Sequence, residues 1–257
     1  MKKTNLCKLV FNEFSNTFAI KLSLDMNLKL ILKITSLTTL FFLIVSVVWV
    51  LTLRYVNPPF TSLMFLRYFF DVPKNRTFER KWKSKADISP SVFKAVVASE
   101  DQRFYQHNGF DFEAIKKAML YNEKKHKNKK VRGASTISQQ VAKNVFLFPS
   151  RTWFRKGLEV YFTVLIETFW SKERILEIYV NMIEMGNGIY GVEAASRHYF
   201  KKSAKQLSQS ESAMLASILP APRKWSPVKP TPRLIKHQQW VLRQMNNLTP
   251  SDDEDDM

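Results

Sequence analysis

SPSVFKAVVASEDQRFYQHNGFD, Ser89 to Asp111, is the stretch that decides the fold. Ser89 stands where a helix cap belongs, and Pro90 falls in the first turn, where a missing N–H costs nothing. On helical numbering Phe93, Val96, Val97 and Glu100 sit at i, i+3, i+4 and i+7, and Phe104 continues that apolar stripe. A carboxylate on such a stripe is partly withdrawn from water. Desolvation disfavours its charged form and raises its pKa, the tuning a general base near neutral pH needs. Asp101, one residue on, points about 100° away and should differ in exposure. Periodicity alone leaves a second meaning open, a glutamate at a helix end bonded to local backbone.

Working outward, helical signals dominate from Ser89 to about Met245, runs of strand-type alternation are few, and no repeat of solenoid length is present. YNEKKHKNKKVR, Tyr121 to Arg132, lacks apolar periodicity and reads as a mobile basic loop. GASTISQQVAKN follows, Gly133 to Asn144. Ser135, Thr136, Ser138, Gln139 and Gln140 crowd donors around a helix start whose free N–H groups favour an anion, with Lys143 one turn further. Ordinary capping by Ser and Thr would use the same residues. In RTWFRKGLEVYF, Arg151, Arg155 and Glu159 are spaced by four and line up on one face if the helix begins that early. That row is either a solvated ladder or a set of fixed cations suited to a pyrophosphate leaving group. SKERILEIYVNMIEMGNGIYG predicts a helix from Ser171 to near Gly186. Its core face is Ile175, Ile178, Tyr179 and Met182, and Glu177, Asn181 and Glu184 have structural roles on another. His107, His126, His198 and His237 are scattered without HExxH spacing or cysteine partners, which argues against a zinc site.

Toward the amino terminus, ITSLTTLFFLIVSVVWVLTL, Ile34 to Leu53, is twenty residues without a charge, enough to span the ~30 Å hydrocarbon layer. It is longer than a signal-peptide core and is followed by Arg54 and Tyr55 rather than a cleavage site, so it reads as a retained anchor. Lys21, Lys29 and Lys33 before it outnumber Arg54 and Arg67 after it, which keeps the amino terminus in the cytoplasm. The next stretch, VNPPFTSLMFLRYFF, carries Phe60, Met64, Phe65, Phe69 and Phe70, whose burial against a core and contact with a membrane interface are equally consistent with the sequence. The chain has 257 residues and a net charge of +18, most of it between the amino-terminal tail and the acidic end SDDEDDM, which should be disordered. Such an excess favours an anionic partner: nucleic acid, membrane or phosphorylated substrate. The single cysteine, Cys7, excludes a disulfide framework.

Five segments in order, EDQRFYQHNG (Glu100–Gly109), GASTISQQ (Gly133–Gln140), RKGLE (Arg155–Glu159), KERILEIYVN (Lys172–Asn181) and GIYGVEAASRHYF (Gly188–Phe200), carry a resemblance. The chain resembles the peptidoglycan glycosyltransferases, specifically the monofunctional biosynthetic transglycosylases of Gram-negative bacteria. The resemblance implies a mainly α, lysozyme-like helical catalytic domain with one N-terminal transmembrane helix. The expected divisions are a cytoplasmic tail over 1–33, the anchor over 34–53, a membrane-proximal linker over 54–88, the catalytic domain over 89–246 and the acidic tail over 247–257. By motif position, Glu100 would deprotonate the GlcNAc 4-hydroxyl of an acceptor lipid II. The oxygen would attack the donor MurNAc anomeric carbon with inversion, releasing undecaprenyl pyrophosphate. Lys143, Arg151 and Arg155 look like the family's pyrophosphate contacts, and Glu159 like its second important carboxylate, orienting those cations or a metal. Ser135, Thr136, Gln139 and Gln140 would line the groove. Ala134 replaces a second glycine found in many members, which bears on loop flexibility. The family implies no obligatory cofactor, although a divalent cation, Mg or Mn, is compatible. It also implies lipid II, the growing glycan, the membrane and other cell-wall synthesis and division proteins as partners, no nucleic acid, and a single-pass inner-membrane protein with a periplasmic catalytic domain.

Two other enzyme classes and one non-enzymatic class compete with this reading. A lysozyme-type hydrolase would also use a helix-borne glutamate of raised pKa, but the cations at the donor side argue against it. SVFK, Ser91 to Lys94, satisfies the SxxK pattern of acyl-serine transpeptidases, yet no SxN or KTG element follows. A basic membrane scaffold would leave a glutamate on an apolar stripe unexplained.

Overall fold

The computed structural model describes residues 2–71, 78–124, 133–150 and 152–248. The chain divides into two compact units, Met1–Thr52 and Leu53–Met257. The first unit is one helix, α1, which runs Lys2–Tyr55 and ends in the second. Within it, Leu28–Tyr55 contains an 18-residue window of mean hydropathy 2.3 and is long and apolar enough to cross a membrane. The expected span over 34–53 thus lies inside a longer helix.

The second unit is mainly helical: α2 (Ser62–Leu66), α3 (Pro90–Glu100), α4 (Phe112–Glu123), α5 (Ile137–Phe146), α6 (Trp153–Phe169), α7 (Lys172–Met182), α8 (Val192–Phe200), α9 (Gln209–Ile218) and α10 (Pro232–Asn247). Local chemistry sets most of these starts. Asp111, Thr136, Thr152, Ser171, Ser208 and Thr231 each accept a backbone N–H of the following first turn, and proline opens α3 and α10. Ser89 is the N-cap of α3 by backbone only. Its hydroxyl donates to Leu207 O. Helix α3 packs on α9 and α10, α5 packs on α6 and α7, and α3 meets α7 between the two groups. Ile137, Ile166, Ile175, Ile178, Leu215 and Leu234 are fully buried in the resulting core.

Three expectations change. Helix α7 stops at Met182, not near Gly186, because Ile183 turns extended and leads into strand β2 (Glu184–Gly186). β2 pairs antiparallel with β3 (Ile189–Tyr190), which pairs parallel with β1 (Glu79–Arg80), giving the sheet order β1-β3-β2. The described residues of 54–88, expected as a linker, belong to the compact unit. Besides supplying β1, they bury Met64 in α2, and Arg67 bonds Glu184 at 2.6 Å. Met64 is therefore core, whereas Phe60, Phe65 and Phe69 stay exposed. Finally, α4 continues to Glu123, so the first residues of the expected basic loop are helical. Residues 125–132 and 249–257, the latter holding the acidic end of the chain, lie outside the described residues, and Asn247, expected in the acidic tail, ends α10.

Candidate active site

Helix α3 ends at Glu100. Val92, Ala95, Val96 and Val97 are buried, and Glu100 follows on the same side, half-buried, before Asp101 leaves helical geometry at φ −161° and ψ 77°. Phe104 is fully buried as expected, but from a short 3-10 turn beyond the helix. Burial pushes the Glu100 carboxyl above its ordinary range. The hydrogen bond from Gln140 pulls it down, the neighbouring Asp101 pushes it up, and Lys143 pulls it down. Gln140 Nε2 donates to Glu100 Oε2 at 2.8 Å.

Asp101 differs from Glu100 in exposure, as predicted, and is the more buried of the two at 7%. Its carboxylate accepts Ile137 N–H at 3.0 Å and His107 Nε2–H at 3.0 and 3.1 Å, while His107 Nδ1 accepts from Gly109 N at 3.1 Å. The anion at the start of α5 is therefore a side chain of the protein. Asp101 ties the end of the helix that carries Glu100 to the start of the helix that carries Gln140 and Lys143. A second brace lies beside it. Lys172 Nζ sits 4.6 Å from the Phe104 ring centroid and donates to His107 O at 2.6 Å and Glu167 Oε1 at 2.9 Å, and Glu167 also accepts from Ser138 Oγ.

The polar cradle divides into internal and outward-facing members. Thr136 and Gln139 form a capping box, each accepting the other's backbone N–H, and both are buried. Ser135 lines two adjoining clefts. The first, about 300 Å³, is also bordered by Glu100, Asp101, Thr136 and Trp240. The second, about 280 Å³, is bordered by Ile115, Met119, Gln139 and Lys156. Ala134 lines both.

On α6, Glu159 is 3% exposed and accepts Arg155 at 2.7 Å and Lys156 at 2.5 Å. Lys143 feels the same group from α5. Burial lowers its pKa, Glu159 raises it, Arg155 and Lys156 lower it, and Glu100 raises it. Arg155 Nε is buried and makes no hydrogen bond in the structure. Arg151 lies outside the described residues, and α6 begins after it, so the expected row of three reduces to Arg155 and Glu159. The sequence reading missed Lys156, whose signal was an i, i+3 spacing to Glu159, and it missed Asp101 as the tie between α3 and α5. Ser91 Oγ is 2.8 Å from Ser89 Oγ and 2.9 Å from Ser212 Oγ, a serine cluster at the start of α3. The arrangement offers a desolvated carboxylate and, within its electrostatic reach, Lys143, which shares the field of the buried Glu159 with Arg155 and Lys156. That is the equipment to accept a proton and to receive an anionic leaving group.

Comparison with known proteins shows the family to which the chain belongs. A family model described as Transglycosylase matches residues 69–246, which takes in much of the stretch expected to be linker. The chain is 53% identical over 201 residues to the biosynthetic peptidoglycan transglycosylase of Haemophilus influenzae, covering 77% of this chain and 81% of that one. It is 50% identical over 208 residues to the protein of the same name in Bdellovibrio bacteriovorus, covering 80% and 82%. It is also 50% identical over 207 residues to that of Caulobacter vibrioides, covering 80% and 87%.

Proposed function

Because the chain belongs to the transglycosylase family and is a peptidoglycan glycosyltransferase of lysozyme-like, mainly helical fold, we propose that it polymerises lipid II into β-1,4 glycan with Glu100 as the general base. Glu100 takes the proton from the 4-hydroxyl of the acceptor GlcNAc, and that oxygen bonds to the anomeric carbon of the donor MurNAc. The bond to the diphosphate breaks on the opposite face, so the α-linkage becomes β, and the electron pair leaves on undecaprenyl pyrophosphate. Lys143, Arg155 and Lys156 receive that charge, with Arg151 completing the set. They act where water is partly excluded and fixed charges are worth most. Ser135 and Gln140 orient the sugars and the base, while Thr136 and Gln139 hold the start of α5 in place.

No cofactor is obligatory on this reading. A divalent cation, Mg or Mn, would travel with the diphosphate, since both oxygens of Glu159 are already engaged by Arg155 and Lys156. The apolar helix Leu28–Tyr55 anchors the enzyme in the bacterial inner membrane as a single pass, with the catalytic unit in the periplasm. There it meets lipid II, the growing chain and other cell-wall synthesis and division proteins. Transpeptidation is not part of the activity on this reading, because no SxN or KTG element follows Ser91.

The observation that carries the proposal is the half-buried Glu100 carboxylate, bonded by Gln140 and facing the field of Lys143. Incubation of purified protein with labelled lipid II should give long, lysozyme-sensitive polymer. Cleavage of finished glycan without polymer from lipid II would make it a hydrolase.

A further inference from the structure

Tyr179 lies on the core face of α7 and is 2% exposed. Its hydroxyl donates to Gln140 Oε1 at 3.2 Å, and the same amide donates through Nε2 to Glu100 Oε2 at 2.8 Å. A glutamine has one accepting and one donating end, so the end turned to a carboxylate decides whether the contact attracts or repels. The phenol supplies that choice. Burial, helped by the nearby carboxylates of Glu100 and Asp101, holds Tyr179 well above its ordinary pKa, so it remains an O–H donor at working pH.

We propose that Tyr179 is a positioning residue for the base: its hydroxyl fixes the Gln140 amide with the NH₂ end toward Glu100, which clamps Oε2 and leaves Oε1 to the acceptor hydroxyl. The proposal rests on Glu100 being the base. Three further influences act on Glu100. Gln140 and Lys143, both from α5, favour its charged form, and Asp101 at the end of α3 opposes it. Without the Tyr179 hydroxyl the amide can turn, and the donor that favours the carboxylate is lost. The charged form then becomes less favourable, the Glu100 pKa rises, and activity appears only at higher pH.

The test measures elongation of labelled lipid II against pH for wild type, Tyr179→Phe, Gln140→Leu and the double variant. Tyr179→Phe keeps the buried ring. Its acid limb should move up by about half to one pH unit, with lower kcat at the wild-type optimum and unchanged KM. Gln140→Leu should move the same limb at least as far, and adding Tyr179→Phe should move it no further, because Tyr179 acts through that amide. An unmoved limb in active Tyr179→Phe, or a shift that adds in the double variant, would overturn the proposal. Should Tyr179→Phe not fold, an unmoved limb in Gln140→Leu overturns it instead. Failure of the wild type to polymerise lipid II is a different result, and it removes the underlying reading first.

Discussion

At the scale of single residues, the proposed mechanism rests on two titrating groups whose environments push their pKa values toward each other. Burial raises the Glu100 pKa and lowers that of Lys143. A base must be ionised and a diphosphate-binding lysine must be protonated. The acid limb of kcat/KM should therefore lie above the usual carboxylate range and the alkaline limb below the usual lysine range. Lys143→Ala should weaken donor use by about tenfold or more and abolish the alkaline limb. Because Lys143 also favours ionised Glu100, the acid limb should move to higher pH in the same variant. A pH profile and donor KM identical to wild type would remove Lys143 from the site. Glu100 was legible in the sequence because helical period alone places it on the stripe of Val96 and Val97. Lys156 and Tyr179 were not. Tyr179 lies 39 residues from its partner Gln140, and Lys156 matters through a carboxylate whose role depends on α5.

Between elements, the decisive contact joins the end of α3 to the start of α5. Asp101 accepts the Ile137 N–H and the His107 ring, and it replaces the external anion that free N–H groups at a helix start would otherwise attract. Asp101→Ala leaves a buried N–H and a buried imidazole without their acceptor. The expected cost is about 1–3 kcal/mol for each group left unsatisfied, seen as a Tm several degrees lower, with activity lost alongside as the helices of Glu100 and Lys143 lose register. An unchanged Tm would contradict the tie. Caps were readable in part: Ser89, read as the cap of α3, turns its hydroxyl to Leu207 O instead, whereas Thr136 at the start of α5 and Ser171 at the start of α7 act on their own first turns. The end of α7 was unreadable for the opposite reason. Helical periodicity continues on paper past Met182, but the chain there forms β2, which pairs with β3, and β3 is held in turn by β1 more than a hundred residues earlier, with Gly191 closing on the end of α7. At φ +79°, any side chain on Gly191 would place Cβ 2.5 Å from Asn181 O.

Considered whole, the molecule pairs an apolar helix with a compact helical unit, and the sequence separated these by the uninterrupted apolar run of Ile34–Leu53. It did not show that residues 54–88 belong to the compact unit. Their strand is two residues long, and Met64, one of their deeply buried apolar side chains, is followed in sequence by Phe65, Tyr68 and Phe69, which remain exposed. The proposed mechanism has a lipid-linked substrate and an anchored enzyme meeting in a bilayer, so its test uses the chain with its apolar helix. Full-length wild type and Glu100→Gln, reconstituted into vesicles with labelled lipid II, test it most directly. A glutamine keeps an acceptor for Gln140 and removes a carboxylate whose ionisation burial opposes. A raised folded pKa makes that carboxylate lower stability as pH rises through it, so at neutral pH the variant should hold or raise its Tm. The account predicts no glycan polymer from this folded variant, and polymer made at the wild-type rate would contradict it.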